Sequence, residues 1–214
     1  EHPIDLPIEF PTKVLDGEFI VLNMNRNSYR KFLDITIDGF IKFFKKNGCS
    51  RKLKLFMGCK FSKEGSYDIS DLVITFSKMN GLTHDEMVIL MDECILRPPV
   101  DCLSDEDIQK IYASCDVGIN TCGGEGFGMC NIEHQLHGKP QILTKIPTFE
   151  EIFNGDEEFC KFLEPKTRVY VPSETDGTGG ILHIPCSDDV VEALDFYYKN
   201  RKTRELHGQI GKEV

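Results

Sequence analysis

The residues best suited to chemistry lie between positions 116 and 144, in DVGINTCGGEGFGMCNIEHQLHGKPQILT. Glu125 sits among four glycines, and Glu133 follows eight positions later, where the pattern turns helical. Gly126 and Gly128 let the backbone approach a ligand closely. Free amides where such a turn opens a helix can donate to hydroxyl or phosphate oxygens. Two carboxylates set at different heights accept hydrogen bonds from vicinal diols, which suits a ribose or a hexose. The same residues also fit a plain tight connector with two solvated glutamates. Two sharper motifs are excluded. The third position of a dinucleotide-binding G-x-G-x-x-G is Met129, where Gly or Ala is required. His134 and His137 in EHQLH lack the order and spacing of H-E-x-x-H, so they read as surface or core histidines.

Positive charge gathers elsewhere, in LNMNRNSYRKFLD, where Arg26, Arg30 and Lys31 fall between a strand and a long helix. Cations at a helix start work against the dipole and call for a reason, such as an anion. Ser28 is the expected N-cap. The pattern marks a local anion site, or else a solvated charge run.

The whole chain is acidic: 25 Lys and Arg against 35 Asp and Glu give a net charge of -10 over 214 residues. That balance argues against a general nucleic-acid or anionic-membrane surface. Hydrophobic residues at 40% and charged residues at 28% are those of a soluble globular protein. The nine cysteines are odd in number and scattered without a C-x2-C pair. They read as reduced thiols packed in the interior, which favours the cytoplasm. No apolar run approaches a membrane span, and no signal-peptide pattern is present.

These site residues need strands and helices to hold them. Residues 1–17, Pro-rich and without helical periodicity, read as a connector in an excised or processed chain, and 18–214 as one domain. EFIVLNM, KLKLFMG, DEMVILMD, DVGIN, QILT, RVYV and ILHI read as strands. SYRKFLDITIDGFIKFFKK, SDLVITFSKMNG, LSDEDIQKIYASC, NIEHQLHG and SDDVVEALDFYYKNR read as helices, the third capped by Ser104. The alternation predicts an α/β fold with a doubly wound, mostly parallel Rossmann-like sheet and helices on both faces. In such sheets ligands bind beyond the carboxyl ends of the strands, where GGEGFG falls.

The two clusters together resemble one family. EGFGMCNIE is similar to the E-x7-E motif of the retaining glycosyltransferases of family 4, and Arg26 to Lys31 matches that family's R-x4-K diphosphate pair. LSDEDIQKIYASCDVGINTC resembles the helix and strand before E-x7-E, and SDDVVEALDFYYKNRKTRELHG resembles the closing helices, so the likeness covers about 18–208. Departures are local. Asn25 and Phe32 stand where the family usually has Gly, MGCKFSKEG replaces its G-x-G-P turn, and TKIPTFEE replaces a Gly pair.

The resemblance implies the carboxyl-terminal half of a two-domain GT-B enzyme, with an amino-terminal domain supplying the acceptor site. By it Arg26 and Lys31 hold the donor diphosphate, and Glu125 with the amides of Gly126, Phe127 and Gly128 holds the hexose. Met129 and Cys130 lie beside the phosphates, Glu133 binds the ribose diol, and Arg97 approaches the base. The family needs no divalent metal, and no D-x-D cluster stands beside the donor motif. The expectation is a hexosyltransferase domain using a UDP- or GDP-sugar and an acceptor glycan or other hydroxyl compound. Alone it binds donor and transfers poorly. The reading from a different class is a non-catalytic nucleotide or nucleotide-sugar module of a larger assembly.

Overall fold

A computed structural model of the chain describes residues 16–61, 66–98, 103–155, 158–172 and 179–213. The first 15 residues of the expected connector, and Cys102, lie outside the described residues. So does the end of MGCKFSKEG.

Six short apolar runs form the main sheet: β1 (Phe19–Asn23), β2 (Leu53–Met57), β3 (Ile95–Leu96), β4 (Val117–Asn120), β5 (Gln141–Thr144) and β6 (Cys160–Leu163). Their order is β3-β2-β1-β4-β5-β6, and every neighbouring pair is parallel. This is the doubly wound Rossmann-like order, whose direction reverses between β1 and β4. Strands covered on both faces become continuous apolar runs. In β1, Phe19 and Val21 enter one core while Ile20 and Leu22 enter the other.

On the first face lies α1 (Leu33–Lys46), whose Leu33, Ile37, Phe40, Ile41 and Phe44 recur at helical spacing and are all buried. It packs with α2 (Ile69–Met79) and with the later α7 (Ser187–Lys199). On the opposite face α4 (Asp105–Ser114) sets Ile111 and Tyr112 against Ile20, Leu22 and Phe56. Its start is the expected one: Ser104 and Asp107 form a reciprocal capping box. A third cluster gathers Cys122, Leu143, Phe149, Phe153 and Phe159 around β5 and α6 (Pro147–Ile152). Helices α5 (Met129–Leu136) and α8 (Arg201–Glu213) complete the layers.

Three local expectations are corrected. DEMVILMD is helical: α3 (His84–Ile89) continues into a π-helical turn over Leu90–Cys94, and the strand follows only at Ile95. Thr83 starts that helix by accepting from the Glu86 amide while Glu86 accepts from the Thr83 amide, which overrides the β-prone apolar run. RVYV and ILHI lie in β7 (Thr167–Val171) and β8 (Gly180–Ile184), which pair antiparallel in a sheet of their own. Their exposed residues, Tyr170 at 73% among them, would be buried in a doubly covered sheet. Ser28 precedes a single 3-10 turn, Tyr29–Lys31, makes no capping bond, and leaves the N-cap of α1 to Phe32.

Candidate functional site

Two loops meet beyond the carboxyl ends of β1 and β4, at the point where the strand order reverses. The first runs from Met24 to Phe32, the second from Thr121 to Gly128. They are stitched together by main-chain and side-chain bonds. The Gly123 amide donates to the Arg30 carbonyl at 2.8 Å. Thr121 Oγ1 lies 3.0 Å from the Lys31 carbonyl and 2.9 Å from that of Phe32. Behind it the buried Thr36 hydroxyl sits 2.7 Å away and accepts from Asn23 Nδ2 at 3.0 Å. The second loop is held from its far side as well, because the Gly123 carbonyl accepts from the His183 amide of β8 at 2.9 Å.

This packing brings Lys31, only 5% exposed, onto the Glu125 carboxylate. Lys31 Nζ donates to Oε2. Arg30 Nη1 donates to the Gly124 carbonyl at 2.7 Å and lies 3.5 Å from Glu125 Oε1. Burial works to raise the Glu125 pKa, but the bond and charge of Lys31, the charge of Arg30 and the Gly126 amide hold it below the ordinary carboxylate value. The loop's main chain is fixed too: the Glu125 carbonyl accepts from Thr148 Oγ1 at 2.7 Å.

The remaining expected residues fall around this pair. The Gly126 amide is taken up by its neighbour, Glu125 Oε1, at 3.1 Å, so it is not free in this state. Phe127 and Met129 are 58% and 63% exposed, whereas Gly128 is buried. Gly128 is left-handed at φ 79° and stands at the N-cap of α5, whose first turn contains no acid. The positive end of α5 therefore has no acid in its own first turn and opens beside the Glu125 side chain. Cys130 is half-buried, and burial pushes its thiol pKa up. Glu133, further along α5, accepts from the Tyr112 hydroxyl at 2.9 Å.

Two expected residues stand apart from the Lys31–Glu125 pair. Arg26 is exposed and makes no hydrogen bond or ion pair with a described residue. Arg97 lies over the Phe61 ring, 5.9 Å from its centroid, in an open cleft of about 470 Å³ shared with Ser70, Val73 and Met91. Sequence reasoning counted Arg30 in the cationic cluster but gave it no separate task, and it assigned no site role to Tyr112, Thr121 or Thr148. Thr148 lies in the TKIPTFEE segment; Tyr112 and Thr121 carry no local signal of a site.

Phe32 has a φ of 44°, in the left-handed region that glycine adopts without strain; it is one of the two positions where the resembled family usually has Gly. Among the described residues no three His, Cys, Asp or Glu side chains cluster to hold a metal ion.

No protein-family model matches the sequence, and no curated protein matches it. Solved structures do. The carboxyl-terminal domain of LpcC, a group 1 glycosyltransferase from Francisella tularensis, superposes with a TM-score of 0.65 at 20% identity, covering 95% of this chain and 85% of that one. The likeness is one of fold: this chain shares with that domain a Rossmann-like α/β architecture. HepE from Anabaena, in complex with UDP, gives a TM-score of 0.61 at 16% identity over 92% of this chain. TarM of S. aureus, in complex with fondaparinux, α-GlcNAc-glycerol and UDP, gives 0.62 at 15% identity over 97%. This chain spans 43% of HepE and 34% of TarM.

Proposed function

We propose that the chain is the donor-binding domain of a retaining, metal-independent glycosyltransferase that moves a hexose from a UDP- or GDP-sugar to an acceptor glycan or other hydroxyl. The observation that carries this reading is the convergence of Lys31 and Arg30 on Glu125 at the reversal point, beside the uncapped N-terminus of α5 and ahead of Glu133. Cleaving a sugar–diphosphate bond develops negative charge on the leaving group. Fixed cations and a helix N-terminus stabilise it there without reorganising. The side chains thus offer the charge that a metal would otherwise supply.

Each residue takes one task. Lys31, with Arg30 beside Glu125 and Arg26 from the same loop, takes the diphosphate. Glu125 and the row Gly126, Phe127 and Gly128 orient the hexose hydroxyls. Met129 and Cys130, at the start of α5, lie beside the phosphates, and Glu133 accepts from the ribose diol. Arg97 on Phe61 offers a flat cationic surface to the base. The domain places its donor at the mouth of a cleft whose other wall is an amino-terminal GT-B domain carrying the acceptor. Alone it binds donor and transfers poorly, since transfer depends on positioning both partners. Cytoplasmic residence fits the buried thiols, several held at a pKa of about 11 to 12 by burial. No helix among the described residues is long and apolar enough to cross a membrane.

Calorimetric titration of UDP, GDP and ADP into the chain, without added metal, tests this reading. One nucleotide should bind tightly, and Glu133→Ala should weaken it. A folded chain that binds none of the three, alone or reunited with its amino-terminal half, refutes the proposal.

A further inference from the structure

Glu133 is half-buried. Its Oε2 is held by the Tyr112 hydroxyl at 2.9 Å, and Tyr112 itself is 1% exposed. A phenol so buried has no water to bond and needs an acceptor. Burial, and then the bond to Glu133, push the Tyr112 pKa well up, so it remains a donor at any working pH. The ring is fixed in turn. It stacks on the His134 imidazole, centroids 5.5 Å apart and planes 29° from parallel. His134 is buried and, with a pKa lowered to about 3 mainly by that burial, neutral.

From His134 a line of buried amides leads back to the Gly-rich loop. His134 Nδ1 lies 3.1 Å from Gln141 Nε2, and Gln141 Oε1 accepts from Asn131 at 3.1 Å. Asn131 accepts from Asn120 at 2.8 Å, and Asn120 accepts from the Cys122 amide at 3.2 Å. The scaffold that shapes the turn around Glu125 is thus joined to the ring that holds Glu133.

On the donor-site reading above, we infer that Tyr112 is the positioning residue for Glu133: by occupying Oε2 it aims the carboxylate so that Oε1 accepts from the ribose hydroxyls. An ionised carboxylate has about four lone-pair positions. With one committed to Tyr112, the group cannot turn freely, and its preference becomes one for a ribose bearing the 2′-hydroxyl. Tyr112 acts through Glu133 and touches no substrate.

The test compares each nucleotide with its 2′-deoxy form. UDP, GDP and ADP are titrated into the wild-type chain, and the tightest is repeated with its 2′-deoxy counterpart and with inorganic pyrophosphate, against wild type, Tyr112→Phe and Glu133→Gln. Wild type should favour the ribonucleotide by roughly tenfold or more, the scale of a hydrogen bond to a charged group. Tyr112→Phe should bring the two forms to within about twofold and leave pyrophosphate affinity unchanged. Preference intact in Tyr112→Phe but lost in Glu133→Gln overturns the positioning role and leaves the donor reading standing. A parallel loss for ribonucleotide, deoxynucleotide and pyrophosphate makes Tyr112 a packing residue and also overturns it. A folded wild type that binds no nucleotide overturns the donor reading and this inference together.

Discussion

The Lys31 ammonium and the Glu125 carboxylate, 94 residues apart in sequence, are bonded to each other. The Lys31 charge is therefore already paired within the protein; on the donor reading proposed above, the carboxylate competes with the diphosphate for that cation. Replacing Glu125 by Gln removes that competitor. Inorganic pyrophosphate should bind the variant more tightly, by about tenfold on the usual scale of a charged hydrogen bond, while any extra affinity gained from the donor's hexose disappears. Calorimetry with pyrophosphate and with the sugar nucleotide measures both.

Lys31→Ala acts in the opposite direction. It should weaken a diphosphate-containing nucleotide by about 1.5 to 3 kcal/mol and leave the parent nucleoside unaffected. Equal weakening of both would assign Lys31 to folding.

The two nearby arginines separate by stability. Arg30 bonds the Gly124 carbonyl and faces Glu125, so Arg30→Ala should cost about 1 to 3 kcal/mol in urea denaturation. Arg26, exposed, should change stability by no more than about 0.5 kcal/mol when made Ala. A loss of nucleotide affinity in Arg26→Ala at unchanged stability would place it on the diphosphate.

Acid should dissolve the loop contact. The folded-state pKa of Glu125 lies below its ordinary value of 4.5. The group therefore contributes stability that is complete above that ordinary value and is lost as pH falls through the lowered one. Melting temperatures of wild type and Glu125→Gln, compared from pH 7 to pH 3, should converge below about pH 4.5.

Glycines in the turn answer to different constraints. At Gly128 an added Cβ would lie 2.5 Å from the Phe149 ring, at a positive φ, so Gly128→Ala should destabilise the fold by about 1 to 3 kcal/mol. At Gly126 nothing lies within 4 Å of the added atom. Gly126→Ala should melt like wild type and lose affinity for the sugar nucleotide relative to the plain nucleotide.

The sheet and the capped helices were legible because local signals and burial agree there. The apolar runs VLN, LKLFM and VGIN are strands at the expected places, and Ser104 with Asp107 announces α4. The misread stretch after Thr83 carried its own signal, a T-x-x-E box, outweighed in the reading by the apolar run VILM. CKFL was too short and too mixed to stand out, though it forms the parallel edge at β6. Glu125 and Lys31 were legible as motifs; that they bond each other was not. Neither was the Tyr112–Glu133 bond. Both depend on parallel crossovers that set distant loops side by side, and no local pattern encodes such a distance.

Gly123 is fastened by both of its peptide groups, through its amide to Arg30 and through its carbonyl to His183. The Gly-rich turn is thus cast in its final shape while the chain folds, with the hairpin as one half of the mould. On the donor reading proposed above, an arriving donor would order little of this turn, so association would lose little chain entropy there. Discrimination between hexoses that differ at a single hydroxyl would then rest, on this side of the cleft, on the contour of a stiff rim.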